Sequence, residues 1–334
     1  MENIYTDLAL EMAENLNLRN NKDAETGEEI EGVEMNTEDE GDIIISTVRI
    51  TSESGAEKMN KPMGSYITIE SDSLRTNEIY VHERIIEILS EKLGALCAKF
   101  SRENTLVVGL GNSNVTPDSL GPKVIDKILI TRHIMNTLPD ELAGGVLSVC
   151  AIAPSVMGLT GIETAEIIRG LVAHVKPNLI IAIDALAARR ISRINSVIQL
   201  TDTGISPGAG MGSGRMPLNQ ETLGVPVVAI GVPTVVDAAT MINDTLDIML
   251  ASIEENMPKD LAGGEEFFKM LGDMGRQEKY QSIRQTLAPY DSNMFVTPKE
   301  IGEVINWLGN IIANGINVSL HPGLDQSDIN RFTY

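Results

Sequence analysis

Aromatic side chains are scarce in this chain: Phe, Trp and Tyr together make up 4% of 334 residues. Hydrophobic residues still reach 43%, so a sizeable core has to be built from Ile, Leu, Val, Met and Ala. That suits a parallel sheet covered by helices better than an aromatic-rich sandwich. Cysteine is scarcer. Cys97 in GALCAKF and Cys150 in LSVCAIAP both sit among apolar residues, which argues against a disulfide framework and for a reducing cytoplasm. Positive charge is short as well: 26 Lys and Arg face 47 Asp and Glu, a formal net charge of −21. No basic stripe is present to displace counterions from a phosphate backbone, so direct nucleic-acid binding is not expected. Such acidity attracts basic partners or simply keeps a chain dissolved.

Several motifs are also missing. The start, MENIYTDLALEM, has no positive region followed by an apolar run, so it does not read as a signal peptide. No apolar run is long enough for a bilayer, and no membrane association is expected. His82, His133, His174 and His321 form no HExxH pattern, and neither CxxC nor GxSxG occurs. No metal and no other cofactor is expected.

What is present alternates. Residues 20–42 are acidic and poor in apolar residues, reading as a solvated loop or irregular edge. IIISTVRI and GSYITIE read as strands, and residues 78–100 as a helix. From about residue 105 the short apolar runs TLVVGLG, GVLSVCAIAP, NLIIAID, NSVIQL and PVVAIGVP read as buried strands. Between them the spacing predicts helices over PKVIDKILITRHIMNTL, opened by Pro122, and over TGIETAEIIRGLVAHV, with Thr160 and Glu163 as a capping box. VDAATMINDTLDIMLASIE and TPKEIGEVINWLGNIIANGI follow, the latter with Thr297, Pro298 and Glu300 as its start signal. The expected fold is α/β, a mainly parallel twisted sheet flanked by helices. Residues 8–104 form an N-terminal region with strands, packed on a core of 105–334, and residues 255–292 read as a small helical insertion.

GLGNSNVTPDSLGP, residues 109–122, resembles a phosphate-gripping loop but lacks the third glycine and the Gly-Lys-Ser/Thr ending. It does carry Asp118, after a strand and before a helix, where open α/β sheets place their sites. Asp184 ends the apolar run NLIIAID at the same sheet edge. Two carboxylates sharing a site cannot both ionise easily, so one serves as base and the other as acid. The bland alternative is two unrelated solvent-facing aspartates, and the pattern alone leaves both open. Asp202-Thr203-Gly204 matches the tripeptide of pepsin-like proteases, but a lone copy in an α/β chain reads better as a loop near the site. The cations Arg189, Arg190 and Arg193 either bind a carboxylate or form an ordinary polar face.

The blocks GLGNSNVTPDSLGPKVIDKILITRH, GLTGIETAEII, PNLIIAIDALAARRISRIN, DTGISPGAGMG, ETLGVPVVAIGVPTVVDA and VTPKEI, in this order, resemble the germination protease family of endospore-forming bacteria. The resemblance implies an atypical aspartic endopeptidase that degrades small acid-soluble spore proteins in the spore core. It implies a homotetramer on a fold like that of the hydrogenase-maturation peptidases. The two essential aspartates fall on TPDSLGP and AIDALAAR, hence on Asp118 and Asp184. The family is made as a self-processing zymogen cut after an acidic and before an apolar residue. YTDLALE fits that shape, so residues 1–7 are expected as a propeptide removed between Asp7 and Leu8. Arg189 is the expected reader of the acidic substrate side chain. Two alternatives remain: a metal-dependent maturation-type peptidase, and a non-catalytic binder of the DNA-coating spore proteins.

Overall fold

The β-branched and aliphatic runs all become strands, and they join into one sheet. The computed structural model describes residues 6–23, 30–135, 137, 146–207, 215–256, 276–287, 289, 294–324 and 329. In chain order the strands are β1 (Val33–Asp39), β2 (Ile44–Ile50), β3 (Gly64–Glu70), β4 (Asn104–Gly109), β5 (Ser148–Ile152), β6 (Leu179–Ala188), β7 (Val197–Thr201), β8 (Val227–Asp237) and β9 (Phe295–Val296). The helices are α1 (Ala9–Asp23), α2 (Glu53–Met59), α3 (Ile79–Cys97), α4 (Leu120–Ile125), α5 (Arg132–Met135), α6 (Met157–Thr160), α7 (Thr164–Val175), α8 (Gln220–Leu223), α9 (Ala238–Asn256), α10 (Arg276–Leu287) and α11 (Ile301–Leu320).

The strand order is β1-β2-β3-β7-β8-β6-β4-β5, with β9 paired to β8. β5, β4, β6 and β8 run parallel, as expected for the site-bearing part. Beyond β8 the sheet turns antiparallel through β7, β3, β2 and β1, so the N-terminal strands extend the same sheet.

Helices cover both faces of the parallel part. Val107, Ile181 and Ile183 pack on one side with α3 and α11, through Leu89, Leu93 and Leu308. Leu106, Val108, Ile180 and Ala182 pack on the other with Ala165 and Ile168 of α7. Two-sided burial is why β4 and β6 read as continuous apolar runs rather than alternating ones. Each fully buried Leu or Ile contributes roughly 1.5 to 3 kcal/mol. α3 and α11 approach closely because residue 315 is glycine: a Cβ there would sit 2.5 Å from Leu89 Cδ2.

Some local expectations differ. The helix expected over residues 122–138 is broken into α4 and α5. Between them Leu129 N donates to Asn317 Oδ1 (2.9 Å) and Thr131 N to Val149 O (3.0 Å), bonds outside any helix. The Thr160/Glu163 capping box does not form. Thr160 closes α6 and bonds to its own loop, and α7 starts at Thr164 with no side-chain cap. The Thr297 cap is also absent, since its hydroxyl donates to Thr234 O (2.8 Å) and α11 begins at Ile301. Residues 33–39, expected in a loop or irregular edge, form a regular edge strand. β1 pairs in full register with β2 while all but its first residue stay exposed. That exposure explains the acidic composition, which also protects a sheet edge from further pairing. Of the expected insertion, α10 is helical, and residues 257–275, 288 and 290–292 lie outside the described residues.

Candidate active site

Asp118 is positioned by the turn that follows β4. Gly111 has φ +110°, and a Cβ at that position would stand 2.0 Å from Asp118 O, so a glycine is required twice over. This close approach lets Asn112 N donate both to Asp118 O (3.0 Å) and to its carboxylate Oδ2 (2.9 Å). Thr116–Asp118 forms a single tight turn containing Pro117, which stiffens it. The glycines therefore shape the backbone around a carboxylate.

Asp184 comes from β6. It shares side-chain parity with Ile180 and Ala182 and lies one residue beyond Ile183, the last partner of β4. Here the apolar layer ends and a cavity begins. Asp184 is 6% exposed, and its Oδ1 accepts from Ala185 N at 2.9 Å. Burial, the neighbouring Asp118 charge and then Asp7 hold its carboxyl well above the usual range. Asp118 is also pushed up, mainly by burial, against the opposing pull of the Asn112 N–H and Arg215. The two carboxylates that the sequence set 66 positions apart line one cavity of about 510 Å³. Val115, Val156, Phe295, Thr297, Ser206 and Arg215 are among its other walls.

Asp7 lines that cavity too. Its N–H donates to Ala187 O (3.1 Å), and its Oδ2 accepts from Ala187 N (2.9 Å), so it lies along the end of β6. Its carbonyl accepts from Lys61 Nζ (2.8 Å) and Gln199 Nε2 (3.3 Å). Leu8 is fully buried against Leu186, Val197 and Ile205. Gln199 Oε1 then accepts from Ala9 N (2.8 Å), and α1 departs. The stretch from Asp7 to Ala9 is thus held residue by residue, its acidic member at the two aspartates' cavity and its apolar member in a pocket.

The structure does not bring Arg189 into that cavity. Its guanidinium bonds Asn15 and Asp244 (3.0 Å to Asp244 Oδ1), and its N–H donates to Glu11 Oε2 (2.9 Å). Arg190 N also donates to Glu11, at 3.0 Å, and Arg193 forms a fork with Glu14 at 2.8 and 2.7 Å. The basic cluster is a clamp on α1. Asp202 is likewise committed: it accepts from Ser65 N (2.9 Å) and pairs with Lys99. The cations placed at the site are Arg215, which draws both catalytic-candidate carboxyls down, and Lys61. Arg215 had a sequence signal, being a cation directly after the glycine-rich run 204–214. Lys61 had none, because only the fold carries the loop after α2 to residue 7. Among the described residues, no group of three or more His, Cys, Asp or Glu is arranged to hold a metal ion, and no helix is long and apolar enough to cross a membrane.

Comparison with known proteins bears on the family. The family model described as germination protease matches residues 9–261 and 251–333. A germination protease of Clostridium acetobutylicum is 45% identical over 99% of this chain and 99% of its own length. One of Bacillus velezensis is 40% identical over 99% of this chain and 97% of its own. Among solved structures, the [NiFe] hydrogenase maturation protease HycI of Thermococcus kodakarensis KOD1 aligns with 21% identity and a TM-score of 0.27. It covers 43% of this chain and 80% of that one, an overlap too loose to argue from.

Proposed function

This chain belongs to the germination protease family and is a peptidase; from that premise we propose that it is an aspartic-type endopeptidase whose working pair is Asp118 and Asp184. The observation that carries the reading is the convergence on one cavity of two carboxylates, Asp184 raised in part by the Asp118 charge, and of the Asp7 segment.

Asp184 is the more deeply buried of the pair and has the more strongly raised pKa, so the pair's proton rests there. Asp118, whose charged form is favoured by the Asn112 N–H, stays ionised. Asp118 takes a proton from water as the oxygen adds to the scissile carbonyl. Asp184 gives its proton to the leaving amide nitrogen as the C–N bond breaks. Burial raises both carboxyls, Asp184 further than Asp118, and the two roles follow that difference; the pair titrates as a unit.

The chain is further proposed to be a zymogen. Residues 6–9 are bound as a substrate would be, with an acidic residue before the cut and a buried apolar one after it, which supports processing between Asp7 and Leu8. The substrates in trans are small acid-soluble spore proteins, met in the spore core, and the working assembly is a homotetramer; family membership supports these readings. The test is mass spectrometry of the full chain and of a small acid-soluble spore protein incubated with it, with and without chelator. The expected result is a new N-terminus at Leu8 and chelator-indifferent cuts after acidic residues. A different N-terminus sinks the processing site, a chelator-sensitive cut the aspartic chemistry, and binding without any cut the enzyme reading.

A further inference from the structure

Asp7 lines two cavities. One is the chamber of Asp118 and Asp184. The other, of about 170 Å³, is lined by Asn60, Lys61, Tyr66, Gln199, Thr201 and Asn219 among others. The Asp7 carbonyl oxygen points towards this second cavity and meets two side-chain donors there, Lys61 Nζ and Gln199 Nε2. That oxygen belongs to the peptide bond proposed above as the one cut.

We propose that Lys61 is the residue that recognises the amino acid preceding the cut, its ammonium holding that residue's carbonyl oxygen and its charge selecting an acidic side chain there. This deepens the reading of Asp7–Leu8 as a substrate segment and rests on it.

Three observations converge on Lys61. Its ammonium is 2.8 Å from the carbonyl oxygen, the distance of a charge-assisted hydrogen bond. Burial lowers the Lys61 pKa, and the charge of Asp7, ahead of that of Glu11, works against the lowering. It also follows directly on α2, whose C-cap Asn60 adopts a left-handed conformation (φ 48°, ψ 41°), and Lys61 N is itself bonded to Ala56 O, so the loop that carries it is fixed. When water adds to the carbonyl carbon, the C=O electron pair moves onto oxygen. A fixed cation already on that oxygen stabilises the charge as it grows. Gln199 provides a second, neutral donor, and its Oε1 holds Ala9 N on the other side of the bond. One side chain thus spans the scissile peptide while Lys61 grips its carbonyl.

The carboxylate of the acidic residue needs its own partner, and Ala187 N supplies one at 2.9 Å. An uncharged amide of the same shape could accept the same N–H bond. Discrimination between Asp and Asn therefore falls to the nearby charge of Lys61. A substrate with a neutral residue here takes from the buried ammonium the larger of its two counter-charges, Asp7, and leaves Glu11.

The test uses the full-length chain, each variant first matured by a trace of tagged wild-type enzyme that is then removed. The probes are two synthetic peptides spanning residues 2–14 of this sequence, one with Asp7 and one with Asn in its place. Wild type is expected to cut the Asp7 peptide before Leu8 with a kcat/KM at least tenfold that for the Asn peptide. Lys61→Met is expected to lose about 10²- to 10³-fold in kcat on the Asp7 peptide, the cost typical of one lost oxyanion donor. Its Asp/Asn ratio should fall to within about threefold of unity, and Lys61→Arg should restore part of both. A merely structural lysine would lower both peptides alike and leave the ratio standing. Lys61→Met with wild-type kcat and ratio overturns the proposal, as does a wild type indifferent to Asp and Asn. Should Lys61→Met fail to fold, Lys61→Gln keeps a donor without the charge and must show the collapsed ratio with a smaller loss of kcat. If wild type cuts neither peptide before Leu8, the substrate-segment reading itself fails, a result separate from one in which wild type cuts and Lys61 proves indifferent.

Discussion

Replacing Asp184 by Asn separates catalysis from structure in a single substitution. Asn is nearly isosteric, and its amide oxygen can keep the bond from Ala185 N (2.9 Å), so the fold has little reason to move. What disappears is the proton exchanged with substrate. General acid–base groups contribute about 10²- to 10⁴-fold, so kcat should fall by two to four decades, about 3 to 5.5 kcal/mol on the barrier. Stability should move the opposite way. The raised native pKa means that the folded state holds a proton longer than the unfolded chain does. Wild type therefore loses stability as pH rises from the ordinary Asp value near about 3.9 up through the raised native value. Asp184→Asn lacks that loss, so it should melt above wild type at neutral pH and converge with it in acid. The assay pairs single-turnover cleavage of a spore-protein substrate with urea melts at several pH values. Cleavage within a few fold of wild type refutes the dyad. A variant that is both inactive and destabilised at neutral pH refutes the assigned burial energetics and returns Asp184 to a structural role.

Arg215 draws both carboxyls down, so Arg215→Ala should raise both and shift the pH–rate profile towards higher pH; an unmoved profile removes Arg215 from the site. Glu11 is buried and accepts from Arg189 N and Arg190 N, and Glu11→Ala leaves those amides unpaired. It should cost about 3 kcal/mol in urea unfolding and expose α1 to limited proteolysis; a loss under about 0.5 kcal/mol would show that the clamp does not hold the helix.

The parallel half of the sheet was legible because burial on both faces leaves an unbroken apolar signature, and β4 and β6 carry it plainly. From there the rule that parallel strands end on one edge allowed Asp118 and Asp184 to converge, while the pattern alone left two unrelated aspartates equally open. Three things were hidden. Leu129 and Thr131 kept helical spacing, but Asn317 and Val149 offered their backbones partners outside a helix. Thr160 and Thr297 matched capping patterns, yet nearby carbonyls accepted their hydroxyls first. The positions of Arg189 and Lys61 ran against sequence distance: proximity to Asp184 favoured the arginine, which α1 occupies, while a lysine 123 positions before Asp184 reaches the Asp7 carbonyl through the turn ahead of β3. Spacing reports periodicity within an element and is silent on which long side chain crosses between elements.

The span of chain between the Asp7 segment and its holders sets an order of events in folding. Asp7 meets Ala187 across 180 positions and Glu11 meets Arg189 across 178. Contacts at such separation cost the most closure entropy and form late. Residues 7–11 are therefore among the last to dock, and their berth exists only after β6, β7 and the turn between them are in place. A chain still folding has neither the bond held in position nor the pair of carboxylates assembled. On the proposed processing between Asp7 and Leu8, topology would time the cut: cleavage in cis would wait until β6 and β7 hold the segment.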